Sequence, residues 1–238
     1  MALDFEQLLN VDLSYPGISF GYESWALDNY LKVLEDQISH AKDQYRLRAE
    51  RELDKSKETL EREEYWSKLS QIEDAAEKQI PRFFRIGALI PIWGLFESFL
   101  SDFATWVGKR ESIGVSFRDV RASNFRGQVE KYFDGILRID LPWSTEERER
   151  LGYLQELRNF VAHRNGRLMD LPPEKEREIK ALIAKVPGVG VEDSALVVSD
   201  AYVREAALVF QLVGRHNQKI ADRYAYPAFR KTESKPNS

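Results

Sequence analysis

The chain has no cysteine and only three histidines in 238 residues. The first absence excludes a disulfide framework, Cys-ligated zinc or iron–sulfur centres, and thiol catalysis. The second leaves little for a histidine-rich metal centre, so no metal and no cofactor are expected. Long apolar runs are also lacking. The most apolar stretch, Ile86 to Val107, is interrupted by Pro91, Glu97 and Asp102. Its unbroken segments fall well short of the ~20 residues a membrane span needs. The first ten residues carry acids and no basic segment, unlike a secretory signal. These absences lead to the expectation of a cytoplasmic protein with no membrane partner. Nor is there an excess of positive charge. Lys and Arg number 35 against 39 Asp and Glu, a net charge of −4. That balance argues against a bulk nucleic-acid coat protein and leaves room only for a small local basic site.

What is present points to helices around a packed core, with 43% hydrophobic and 31% charged residues. Neither glycine nor proline occurs from Tyr22 to Ile80. Within that stretch Leu27, Leu31, Leu34, Ile38 and Ala41 recur at steps of three and four, the helical period. Between Lys42 and Glu64 the stripe thins and charges of both signs crowd in. A solvated helical arm and the tip of a helical hairpin both fit this pattern. Pro81 marks the next expected helix start, with Ile86, Leu89, Ile90, Trp93, Phe96, Leu100, Phe103 and Val107 on its apolar face. A shorter helix is expected over 124–137. Ser144-Thr145-Glu146-Glu147 has the form of a capping box and opens a helix that should end at Asn165-Gly166. A polar helix follows Pro172-Pro173. One small strand or hairpin fits 186–198, and Ser199 or Asp200 should cap a last helix. The fold class is mainly α, with at most one small β-hairpin.

The segment with chemical potential is Leu157-Arg158-Asn159-Phe160-Val161-Ala162-His163-Arg164-Asn165-Gly166. On a helix, Leu151, Leu154, Leu157 and Val161 fall on one side. Asn159 and His163, four apart, stack on roughly the opposite side, which Gly152 shares. His163 therefore points away from its own apolar stripe. Gly152 would permit another helix to approach, as at a dimer interface. An Arg and a His near a helix C-terminus are also favoured by the helix dipole alone. The ideal helix sets Arg158 and His163 about 140° apart, so a second subunit or a frayed last turn must bring them together.

The run Arg158-Asn159-Phe160-Val161-Ala162-His163 resembles the R-x4–6-H signature of the HEPN superfamily, with the polar residue directly after the Arg. Trp93-Gly94-Leu95-Phe96-Glu97-Ser98-Phe99-Leu100 upstream is similar to HEPN helices as well. The resemblance covers roughly 81–223. It implies a HEPN-like helical bundle, placed over 22–226 with a core at about 81–223; the long charged helical extension at about 42–66 has no obvious counterpart in the family. An N-terminal arm (1–21) and a disordered tail (227–238) would flank it. It further implies a metal-independent endoribonuclease acting as a homodimer, of a toxin or antiphage-defence type. In that scheme His163 is the general acid or base, Arg158 holds the phosphate, and Asn159 orients one or the other. RNA carries its own nucleophile, the 2′-hydroxyl. The enzyme must add a group that moves protons near neutrality, as imidazole does, and a permanent cation with forked donors.

Glu97 lies in the apolar stripe of its helix and should want a cation, Arg158 or another. Arg164 and Arg167 flank His163 and could gather RNA phosphates, or simply be solvated. His216 shares a face with Val209, Leu212 and Ile220 and is expected in the core; His40 is expected on the surface. Phosphate-loop, dinucleotide, nucleophile-elbow and zinc-protease signatures are missing from the sequence. Two other functions remain open. The chain could be a non-catalytic HEPN-like interaction module, or one half of a pair with a nucleotidyltransferase antitoxin.

Overall fold

In a computed structural model, which describes residues 14–169 and 171–225, the glycine-free stretch folds as helix α1 (Gly17–Lys55). The helix begins before Tyr22, so the expected arm boundary at 21/22 falls inside it. The expected C-terminal tail lies outside the described residues. Leu27, Leu31, Leu34 and Ile38 are buried, as their spacing requires.

Of the two alternatives for the charged stretch, the helical hairpin is realised. The chain turns at 56–61, where the hydroxyls of Ser56 and Thr59 donate to Leu53 O and Ser56 O. Helix α2 (Arg62–Asp74) then returns. Charges of both signs join the two legs. Arg46 forks onto Glu73 at 3.0 Å from Nε and from Nη2, and reaches Glu77 at 2.6 Å. Lys42 Nζ also meets Glu77 at 2.6 Å. These cations hold the Glu77 carboxyl below the usual carboxylate range, and the carboxylates push the Arg46 guanidinium up.

A π-helical turn (Ala75–Gln79) leads directly into α3 (Ile80–Arg110). Pro81 thus stands at the first turn of α3 without breaking the helical run. It lacks the N–H that Glu77 O would otherwise accept, and the wider turn accommodates that loss. The helical run Arg62–Arg110 contains an 18-residue window of mean hydropathy 1.4, long and apolar enough by composition to cross a membrane, with 44% of the window buried in the protein. The core helix of a packed bundle meets the same criterion.

The chain forms two compact units. One comprises, among described residues, 14–26, 92–152 and 207–225. Its interior is aromatic. Phe103 stacks on Phe99 at 5.7 Å, on Phe133 at 5.8 Å and on Trp106 at 6.0 Å between ring centroids. Phe96 contacts Trp143 and Phe210, and Phe20 contacts Phe99. The Trp143 indole N–H donates to buried Asn217 at 3.1 Å, which satisfies it away from water. The helix expected over 124–137 is α4 (Phe125–Glu130), capped by the Asn124 side chain and continued by a π-helical turn to Leu137. His216 is not a core residue. It is half-buried, with Nδ1 3.3 Å from Glu147. His40 is exposed as expected.

The second unit comprises 27–91 and 153–206. Its buried side chains are mainly aliphatic, including Leu34, Ile38, Ile86, Leu89, Leu154, Leu157, Leu196 and Val203. Arg85 binds Glu35 with two hydrogen bonds, at 2.8 and 2.6 Å. The expected polar helix is α6 (Pro173–Ile183), preceded in the chain by α5 (Thr145–Arg164). The expected hairpin is β1 (Val189–Glu192) antiparallel to β2 (Ala195–Val198), with Val189 opposite Val198. Asp193 and Ser194 supply its tight turn with positive φ. Ser199 caps α7 (Asp200–Ala225) by accepting the Tyr202 N–H at 3.2 Å.

Candidate active site

Helix α5 carries the Arg–Asn–His motif. At its start the capping box closes as the sequence requires. Glu147 N–H donates to Ser144 Oγ at 3.1 Å, and the Glu147 carboxylate accepts the Ser144 N–H at 2.7 Å. Further along, Leu154, Leu157, Phe160 and Val161 are buried, so the helix cannot rotate about its axis without exposing them. Arg158 and Asn159 are half-buried and His163 is exposed. The motif face therefore looks outward from the apolar stripe.

The last turn of α5 is fixed by several independent contacts. Asn165 and Gly166 adopt left-handed conformations, with φ of 52° and 66°. Their N–H groups donate to Val161 O at 2.8 Å and Phe160 O at 3.4 Å, closing the helix end. Gly166 O then accepts the Leu196 N–H at 2.7 Å, and Leu168 N–H donates to Ser194 O at 2.9 Å. The chain leaving the motif helix is thus laid along β2.

Arg82, only 5% exposed, locks this junction. It donates from Nε to Leu196 O at 2.9 Å and from Nη2 to Asn165 O at 2.5 Å. A guanidinium at a helix C-terminus also complements the negative end of the dipole. Burial and the nearby Arg167 push the Arg82 pKa down. That shift starts from a value so high that the side chain keeps its charge.

His163 lies in an open cleft of about 660 Å³ within this unit. Its walls include Phe83, Ile90, Val161, Arg164 and Arg167, and among the described residues no Asp or Glu lines it. Arg164 and Arg167 are both exposed. In a protein of net charge −4, the described lining of this cleft is locally basic. Among the described residues no cluster of three or more His, Asp or Glu is placed to hold a metal ion.

No family model, curated protein or solved structure matches the chain significantly. The chemistry of the site therefore rests on its own geometry and on the motif.

The motif residues do not all converge within one chain. Arg158 Nη1 donates to Asn159 Oδ1 at 3.0 Å, and neither residue lines the His163 cleft. The helical period already required this separation. Glu97 is half-buried and lines a different cleft in the aromatic unit, with Ser98, Arg118 and Gln128. Gly152 is not an open face. A Cβ there would meet the Arg126 guanidinium, which itself donates to Arg148 O at 3.0 Å. The close approach that Gly152 permits is that of Arg126 in the same chain.

Arg82 and Phe83 escape attention in the sequence, whereas Ile90, expected on the apolar face of its helix, is 40% exposed and lines the cleft instead. Arg82 carried one signal: it stands four residues before buried Ile86, on the apolar side of its helix. Its acceptors, Asn165 and Leu196, are too distant in sequence to be foreseen.

Proposed function

We propose that the chain is a metal-independent endoribonuclease that acts as a homodimer in the cytoplasm, as a toxin or antiphage-defence effector. The observation that carries this reading is an exposed His163 in a cleft beside Arg164 and Arg167, with no carboxylate among the described residues that line it. The Arg158–Asn159 pair on the same helix supports it, through the resemblance to HEPN ribonucleases.

The reaction is an internal transesterification. One base removes the 2′-hydroxyl proton as O2′ attacks the adjacent phosphorus. The P–O5′ bond breaks, and an acid returns a proton to O5′. The products are a 2′,3′-cyclic phosphate and a 5′-hydroxyl. The nucleophile is part of the substrate, so a metal-bound water is not needed. His163 serves as one proton carrier, and the partner copy's equivalent as the other. Arg158, steadied by Asn159, holds the phosphate presented across the dimer and stabilises its developing charge. A composite site accounts for the separation of Arg158 from His163 within one chain.

A second reading is a non-catalytic interaction module, or the partner of a nucleotidyltransferase antitoxin. The exposed Leu47 and Trp66 on the α1–α2 hairpin favour a protein contact there.

Incubating purified protein with mixed RNA, with and without EDTA, separates these readings. Cleavage that persists in EDTA and is lost in Arg158→Ala supports the composite nuclease. Cleavage abolished by EDTA alone, or a strictly monomeric active species, contradicts it.

A further inference from the structure

We propose that the His163 cleft is a subsite for single-stranded RNA, in which Phe83 is the platform for an unpaired base and Arg164 and Arg167 take its phosphates. This deepens the ribonuclease reading and rests on it for the identity of the strand. Phe83 is 45% exposed and Ile90 40% exposed, though both line the cleft that holds His163. Large apolar side chains left open beside two arginines have no role in the core of this unit.

The ring is also held in place. The Arg82 guanidinium lies over it, 5.1 Å from the centroid, and is itself bound to Leu196 O and Asn165 O. Phe83 is therefore a prepared surface, fixed to the same junction that ends the His163 helix. A stacking partner meets it with little loss of side-chain freedom.

Charge selects the occupant. Two arginines and a histidine, with no carboxylate among the described lining residues, favour a polyanion over an apolar peptide. The adjoining ring favours an anion that carries a flat aromatic group. A nucleotide joins both, and the cleft, at about 660 Å³, is within the usual range for such a ligand. A duplex keeps its base faces stacked inside the helix, whereas a single strand can offer them. Stacking is indifferent to base identity, so the subsite should tolerate all four bases.

The test uses a 2′-O-methyl oligoribonucleotide, which lacks the nucleophile and cannot be cut. Its binding to the full-length protein is measured by anisotropy against the same sequence as a duplex. The wild type should prefer the single strand. Phe83→Ala should weaken binding of that strand about 5- to 150-fold, and Phe83→Trp should preserve it. Arg164→Gln with Arg167→Gln should weaken binding and flatten its salt dependence. Retained α-helical circular dichroism in each variant separates these losses from misfolding. Equal affinity of Phe83→Ala and wild type overturns the subsite, as does equal binding of duplex and single strand. So does a change in oligomeric state without a change in RNA affinity, which would make Phe83 a contact between copies. Phe83-dependent binding without any cutting of natural RNA would leave the subsite standing and remove the nuclease reading. Cutting with a KM unchanged in Phe83→Ala would do the reverse.

Discussion

In the unit formed by 14–26, 92–152 and 207–225, rings meet rings, and Phe103 alone stacks on three others. In the unit formed by 27–91 and 153–206, the buried side chains are mostly aliphatic, and backbone carbonyls are held by a buried arginine. Aromatic packing supplies much buried area, and the cleft that holds Glu97 in that unit carries none of the Arg158–Asn159–His163 motif. The aliphatic unit keeps a capped helix end, an open basic cleft and the whole Arg158–Asn159–His163 motif. Its polar fixtures are therefore the ones whose loss should be felt at the site.

The largest expected effect on stability is in the aromatic unit. Phe103→Ala empties the centre of the stacked cluster and should cost about 3–5 kcal/mol. Denaturant unfolding with amide exchange in α3 measures it. In the aliphatic unit, Arg82→Met keeps the volume but leaves Asn165 O and Leu196 O without their donor. We expect a loss of about 1–3 kcal/mol, the penalty for buried Leu196 O left unsatisfied, since the carbonyl of exposed Asn165 can turn to water. Unlike Phe103→Ala, it should also raise amide exchange at Gly166 and Leu196. Equal exchange at those two amides would show that Arg82 does not secure the junction.

Gly166→Ala should cost less, about 1–2 kcal/mol, because φ is 66° and the new Cβ would stand 3.0 Å from Leu196 Cβ. Thermal unfolding reads this directly. The smallest effect concerns the hairpin. Its partners hold Glu77 below the ordinary carboxylate range, so Glu77 contributes stability above about pH 4.3. That contribution is lost as pH falls through the lowered value. Protection factors in the α1–α2 hairpin should therefore drop in acid, and Glu77→Gln should reduce the drop.

Much of this was legible in sequence because it depends on near neighbours. The Leu27–Leu31–Leu34–Ile38 stripe, the Ser144–Glu147 capping box and the Asn165–Gly166 helix end are each written within a few residues. The α1–α2 turn has no glycine or proline to mark it, because the Ser56 and Thr59 hydroxyls close it. The helical face of His216 is apolar and points to the core, whereas Glu147, which stands beside it, comes from another part of the chain. The motif was visible, but its surroundings were not. Arg82 shows only its place on the apolar side of its helix, and nothing local sets Phe83 apart. Only the return of the chain at Asn165 and Leu196 gives the first its acceptors and leaves the second open in the cleft.

The central claim is that His163 moves a proton in the cleavage of RNA without a metal. The direct measurement is cleavage of single-stranded RNA in EDTA by wild type and by His163→Ala, with the product ends identified by mass spectrometry. Wild type should release 2′,3′-cyclic phosphate and 5′-hydroxyl ends, and His163→Ala should be slower by about 10²- to 10⁴-fold. Cleavage by His163→Ala at the wild-type rate would contradict the account.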